Sequence, residues 1–139
     1  MLNVHTGKRR GYSRIQYDNK VVFTSLKTRH STWKAALKLC QGDGGVLVQL
    51  KTKAYEKLIL KKYSKFELAA WIGMVDDPDV NNFHWVDGDY PSHDNWGPRE
   101  PSHSFRSKKE NCVILRAGKW FDTNCEEKYQ SICEICGAP

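Results

Sequence analysis

The chain has 139 residues, a length that fits one domain and lets about two-thirds of the unfolded surface be buried. Hydrophobic residues make up 40% and aromatic residues 12%, which excludes a disordered chain, and no apolar run approaches the roughly 18 residues of a spanning helix. The net charge of +6 serves solubility or draws the chain to polyanions such as sulfated glycans, anionic cell surfaces or nucleic acid, and does not choose among them.

Residues 1–10 carry Lys8, Arg9 and Arg10 without apolar periodicity and read as a mobile tail. Met1-Leu2-Asn3-Val4-His5 lacks the apolar stretch of a secretory leader, so an exported form is expected to be the mature one. Ile15 and Tyr17, then Val21, Val22 and Phe23, bracket Asp18-Asn19-Lys20 in the pattern of a β-hairpin. Ser31 or Thr32 can cap a helix running through Cys40, because Trp33, Ala36, Leu37 and Cys40 fall on one helical face; Trp33 is thereby assigned to the core. Gln41-Gly42-Asp43-Gly44-Gly45 ends that helix with glycines able to take positive φ, and Val46-Leu47-Val48 reads as a short buried strand. Thr52 can cap a second helix to about Tyr63, with Tyr55, Leu58 and Ile59 inward and Lys62 snorkelling at the edge. Lys53, Lys57, Lys61 and Lys65 recur every four residues as a basic outer stripe, either a solvated face or a polyanion contact.

The stretch from Trp71 to Cys133 carries most of the information. Trp71-Ile72-Gly73-Met74 reads as a buried strand tightened by one glycine. Asp76, Asp77 and Asp79 cluster around Pro78 as an acidic loop, either a solvated turn or a seat for a hard cation such as Ca²⁺. Phe83-His84-Trp85-Val86-Asp87-Gly88 is a strand that ends in an Asp-Gly turn. Asn95-Trp96-Gly97-Pro98-Arg99-Glu100-Pro101-Ser102 holds too many turn formers to be helix or strand. His93 and His103 flank this loop, as solvated side chains or as a transition-metal pair with nearby carboxylates. Five cysteines point to an oxidising compartment unless they hold zinc; Cys133-x-x-Cys136 is half of a zinc pattern, without a second close pair.

Several motifs fall in order: Trp71-Ile72-Gly73, Trp85-Val86-Asp87-Gly88, Asn95-Trp96, Glu100-Pro101-Ser102, Glu110-Asn111-Cys112, Trp120-Phe121-Asp122 and Ile132-Cys133-Glu134. The series resembles the C-type lectin-like domain family over residues 11–135, leaving residues 1–10 and 136–139 as tails. The resemblance implies an α+β fold with two helices, two small antiparallel sheets and a long loop region. It also implies disulfides Cys40–Cys133 and Cys112–Cys125, with Cys136 left over. A hairpin without cysteine marks the family's short form. In the family's sugar binders one Ca²⁺ is shared with two sugar hydroxyls, held by Glu-Pro-Asn, a later Glu and Trp-Asn-Asp, and the proline is typically cis. Carried over, Glu100, Glu110 and Asp122 match the carboxylate ligands and Pro101 the cis-proline, while Ser102 and Phe121 stand where amides are expected. Asp76 matches the first acidic ligand of an auxiliary calcium site, but Val80 stands at the next acidic position.

These departures bear on function. Three carboxylates attract a divalent cation, yet Ca²⁺ seeks roughly six to eight oxygens, so water has to replace the missing amides. Each lost amide also removes an N–H donor to the sugar. The following segment, His103-Ser104-Phe105-Arg106-Ser107-Lys108-Lys109, looks longer than in typical sugar binders. Its Phe105 is either an interface anchor with a basic rim or a core residue. The expected function is an extracellular binding module for a protein or a polyanionic, sulfated or acidic glycan, without full calcium-dependent sugar chelation. Its contacts are assigned to Glu100, Ser102, Phe105, Arg106, Lys108, Lys109, Glu110, Asn111, Phe121 and Asp122, with Arg99 beside them. The alternative is a calcium-dependent lectin of mannose-type preference through Glu100-Pro101-Ser102. Enzymatic activity is not expected, since no nucleophile–base constellation has family support, and nucleic-acid binding lacks a motif. Cys136 is expected to link two copies of the chain, to stay a free thiol, or to pair with another chain.

Overall fold

The computed structural model describes residues 10–63, 68–77, 82–102 and 111–137. The expected hairpin forms from Ser13–Tyr17 (β1) and Lys20–Ser31 (β2), with Tyr17 opposite Lys20 and Asp18 at φ +51° in the turn. Helix α1, Trp33–Gly42, starts at Thr32, whose hydroxyl accepts from the Ala35 N–H at 3.3 Å. Strand β3, Val46–Leu47, follows the glycine-rich stop. Helix α2, Lys53–Tyr63, is capped by the Thr52 hydroxyl, which accepts from the Tyr55 N–H at 3.1 Å. Strands β4 (Ala69–Asp77), β5 (Asn82–Trp85), β6 (Asn111–Arg116), β7 (Lys119–Asn124) and β8 (Tyr129–Cys136) complete the described chain.

The main sheet runs β1-β2-β8-β4-β6-β7, with β3 added beside β8 and β5 beside β4. Every pairing is antiparallel except β4 with β8, where Ala70 meets Gln130 and Trp71 meets Ser131 in parallel. The two antiparallel sheets expected from the sequence are therefore joined into one mixed sheet. The joint is dry: Ala70, Trp71 and Ser131 are fully buried, the setting parallel pairing requires. Gly73 is the closest backbone approach in β4. A Cβ there would lie 2.5 Å from the Leu47 carbonyl oxygen, so no larger residue fits.

Two apolar clusters fill the two sides of the sheet. One joins Tyr55, Ile59 and Tyr63 of α2 to Ile72, Met74, Trp85, Val113 and Trp120. The other joins Trp33, Ala36 and Cys40 of α1 to Trp71, Ile114 and Cys133. Trp33 is a core residue, as its helical spacing indicates, and its indole N–H donates to the Ile72 carbonyl at 2.9 Å. The inner face of α2 differs from expectation. Tyr55, Glu56, Ile59 and Tyr63 are the buried set, while Leu58 is only half-buried and Lys62 lays its ammonium 5.8 Å from the Tyr63 ring centroid. Lys53, Lys57 and Lys61 are exposed, and Lys65 lies outside the described residues.

Both disulfides form as the family resemblance implies. Cys40–Cys133 ties α1 to β8 with Cα atoms 5.4 Å apart, and Cys112–Cys125 ties β6 to the segment after β7 at 5.0 Å. Each contributes on the order of 3–5 kcal/mol by restricting the unfolded chain. With Cys133 bonded to Cys40, the half zinc pattern is dissolved. Cys136 is free and exposed but is the last residue of β8, opposite Val22, rather than part of a tail beyond the last strand.

Candidate functional site

The loop that follows β5 is held to the body by one buried carboxylate. Glu56, in the first turn of α2, accepts from His93 Nε2 at 2.8 Å, Asn95 Nδ2 at 2.9 Å and Trp120 Nε1 at 2.8 Å. Its first-turn position also places the negative charge near the positive end of the helix dipole. Asn95 further donates to the Gly118 carbonyl at 2.7 Å, and backbone bonds from Trp120 N–H to Asn95 O and from Gly97 N–H to Trp120 O lay the loop along β7. Trp120 is the hub: Trp85, Trp96 and His93 meet its ring edge-on at centroid distances of 5.6, 5.4 and 5.6 Å. His93 is thus turned inward to Glu56 rather than offered to a metal, and His103 lies outside the described residues.

From this anchor the chain turns through Arg99 at φ +65° and a cis Glu100–Pro101 bond, the isomer the resemblance implies. The turn brings Glu100 and Ser102 against Asp122 of β7. One Glu100 oxygen accepts from the backbone N–H groups of Ser102 at 3.3 Å and Asp122 at 3.2 Å. Asp122 Oδ1 accepts from the Ser102 N–H at 2.8 Å and its hydroxyl at 3.0 Å, and Oδ2 from Asn111 Nδ2 at 3.4 Å. Burial and the adjoining Asp122 carboxyl raise the Glu100 carboxyl above its ordinary pKa, against the backbone donors that lower it.

The donor set has the all-oxygen chemistry a calcium ion requires: two adjoining carboxylates, the Ser102 hydroxyl and the Asn111 amide oxygen, which is buried with no hydrogen-bond partner among the described residues. Glu100, Asp122 and Asn111 would hold such an ion. The same residues also satisfy one another, because Ser102 and Asn111 direct donors at the Asp122 carboxylate. Among the described residues no group of three acidic, histidine or cysteine side chains is gathered for a metal.

The other sequence-assigned residues divide clearly. Phe121 is half-buried and lies over Gly97, where an added Cβ would come within 2.5 Å of the ring. Arg99 is exposed beside the loop. Phe105, Arg106, Lys108, Lys109 and Glu110 lie outside the described residues. Asp76 is buried within β4 opposite Phe83, and Asp77 also belongs to that strand, so the expected acidic loop begins later than the sequence suggested; Asp79 and Val80 lie outside the described residues. Sequence reasoning missed Glu56. The available signal was a carboxylate one position from Tyr55, on the helix face that Ile59 and Tyr63 also occupy.

A small mixed sheet, two disulfides and a loop clamped to β7 define a disulfide-held module. The sequence matches the family model described as the lectin C-type domain over residues 29–135. It is 33% identical over 114 residues to the C-type mannose receptor 2 of Homo sapiens, covering 81% of this chain and 8% of that protein. It is 30% identical over 115 residues to the low affinity immunoglobulin epsilon Fc receptor of Homo sapiens, covering 82% of this chain and 34% of that one. The structure of human lithostathine shares the fold with a TM-score of 0.76 at 28% identity, over 99% of this chain and 96% of that chain. The chain belongs to the C-type lectin domain family, as a carbohydrate- or protein-binding module.

Proposed function

We propose that this domain binds a protein or a polyanionic glycan in an extracellular setting without relying on a calcium ion to chelate sugar. The carrying observation is the Asp122 carboxylate, whose oxygens accept from the Ser102 N–H, the Ser102 hydroxyl and the Asn111 amide. The loop thus closes on its own donors at the place where the sugar-binding pattern puts a cation. Phe121, at the other lost amide position, packs on Gly97 and supplies no oxygen. The net charge of +6 favours an acidic ligand, and Arg99 stands exposed next to the loop. Phe105, Arg106, Lys108 and Lys109 are further proposed contacts, taken from the sequence alone. Paired disulfides suit an oxidising compartment.

A second reading, a calcium-dependent lectin of mannose-type preference, draws support from the raised Glu100 carboxyl beside Asp122, since a bound cation relieves such like-charge crowding. The relatives' names span both ligand classes: one is a mannose receptor, the other an immunoglobulin Fc receptor. Calorimetric titration with Ca²⁺, then glycan and sulfated-glycan arrays with and without chelator, separates the readings. Binding that survives chelator supports the proposal; chelator-sensitive mannose binding replaces it with the second reading.

A further inference from the structure

On the β1–β2 side of the sheet, far along the strand order from β7, lies a cavity of about 440 Å³. This volume falls within the range of small-molecule pockets. Its floor is Glu134 of β8, only 7% exposed. Tyr55 donates its hydroxyl to Glu134 Oε1 at 2.7 Å, while Gln49 Nε2 reaches Oε2 at 3.5 Å, a weak contact. A carboxylate accepts about four hydrogen bonds, and with the Gln49 backbone N–H also directed at it Glu134 keeps one acceptor position. Tyr17 and Tyr55 stack beside it with ring centroids 5.0 Å apart and planes 18° apart, forming an aromatic wall. Cys136 stands at the rim, two residues along the same strand.

The charges around the cavity run against the chain's overall balance. Lys20 and Lys51 are the cations at its wall. Lys51 is claimed by Asp87 and, at 2.8 Å, by Asp89. Two carboxylates, Asp87 and Glu134, thus stand against two lysines at the wall in a chain of net charge +6. A buried carboxylate with acceptor capacity at the cavity, a tyrosine wall and a neighbouring lysine already held by Asp87 and Asp89 together suit an ammonium group on a flat apolar body.

We infer that the cavity bounded by Tyr17, Tyr55, Gln49 and Glu134 is a second binding site, separate from the loop on β7, and that it takes a small primary organic amine in its ammonium form. The ammonium donates to Glu134, and the apolar body lies against the tyrosine rings.

The site is also proton-linked. Burial pushes the Glu134 carboxyl up to about 7, opposed by the Tyr55 and Gln49 hydrogen bonds and by Lys51. The groups facing it are Tyr17 from β1, Lys20 from the start of β2, Lys51 and Tyr55 from the α2 side, Asp87 from the turn after β5 and Cys136 from β8 itself. An alkylammonium stays charged from pH 6 to pH 8, whereas Glu134 passes from mostly neutral to mostly ionised. Affinity therefore rises about tenfold across that interval.

The probe is 2-phenylethylammonium chloride, titrated calorimetrically into the folded chain at pH 6 and pH 8, with 2-phenylethanol as its neutral counterpart. The expected result is saturable one-to-one binding of the ammonium alone, about tenfold tighter at pH 8 and at least tenfold weaker in Glu134→Gln. That variant keeps an oxygen for the Tyr55 hydroxyl. Should it fail to fold, the rim provides the second arm: capping Cys136 with N-phenylmaleimide is expected to abolish binding, and methylthiolation to spare it. No binding, equal binding of the alcohol, undiminished affinity in folded Glu134→Gln, or indifference to the bulky cap overturns the inference.

Discussion

Replacing Glu56 with alanine tests whether one buried carboxylate holds the loop after β5. Glu56 is 4% exposed and accepts from His93, Asn95 and Trp120. In Glu56→Ala the Asn95 amide keeps its bond to the Gly118 carbonyl, but His93 Nε2 and Trp120 Nε1 lose their acceptor in a buried site. Each stranded buried donor costs about 1–3 kcal/mol, and loss of the first-turn charge adds less than 1. The expected total is about 3–5 kcal/mol, a large part of the 5–15 kcal/mol typical of a domain. At this size that loss lowers the melting temperature by roughly 10–15 °C. Chemical denaturation with both disulfides intact, followed by tryptophan fluorescence, measures it. Glu56→Gln is expected to lose about half as much, since one oxygen remains but its NH₂ opposes a donor. A loss below about 1 kcal/mol in Glu56→Ala, or strict additivity of Glu56→Gln with Trp120→Phe in a double-mutant cycle, refutes the reasoning.

Phe121→Asn combined with Ser102→Asn is expected to raise calcium affinity by restoring two amide oxygens; an unchanged calorimetric titration means the loop is not arranged for the ion. Gly97→Ala drives a methyl to 2.5 Å from the Phe121 ring and is expected to cost about 1–3 kcal/mol, recovered in the background of Phe121→Ala; a neutral single variant removes that contact from the account. Glu134 has an ordinary pKa of 4.5 and is raised to about 7 in the fold, so the unfolded chain gives up its proton first. Its contribution is greatest below pH 4.5 and falls as pH rises to 7, by about 3 kcal/mol. Glu134→Gln is thus expected to gain on the unsubstituted chain over that window, and a flat stability difference between them from pH 4.5 to 7.5 contradicts the assignment. Cys136, exposed and unpaired, is expected to yield a disulfide-linked dimer on oxidation; a monomer band on non-reducing electrophoresis, identical in Cys136→Ser, ends that idea.

Much of the fold was legible because its signals are local. The periodicity from Trp33 to Cys40, the hydroxyl caps at Thr32 and Thr52, and the Asp18-Asn19-Lys20 turn each depend on residues within a few positions of one another. The ordered motifs from Trp71 to Glu134 identified the family, and with it the disulfide pairing that spacing left open. The candidate site was legible only as residue types: Glu100, Ser102, Phe121 and Asp122 could be named, but not whether their polar atoms face a ligand or each other.

That second question belongs to the tertiary structure. Ser102 and Asp122 lie 20 positions apart, and Glu56 and Trp120 lie 64 apart, yet their hydrogen bonds decide which lone pairs remain for a ligand. Asp76 and Glu56 show the same limit from opposite sides. One matches a loop ligand and is buried in a strand; the other, a lone acidic residue in a helix, drew no assignment and anchors the loop. A charge is exposed or buried according to what the rest of the chain packs against it. Glu134 becomes a cavity floor only because β1, α2 and β8 converge there. The sequence alone indicated both helices, most of the strands and, through a recognisable motif order, the disulfides, since helix and strand preferences act at short range. Which carboxylates are satisfied and which are left facing open space was settled only when distant segments closed on one another, because desolvation and hydrogen bonding are properties of the assembled surroundings.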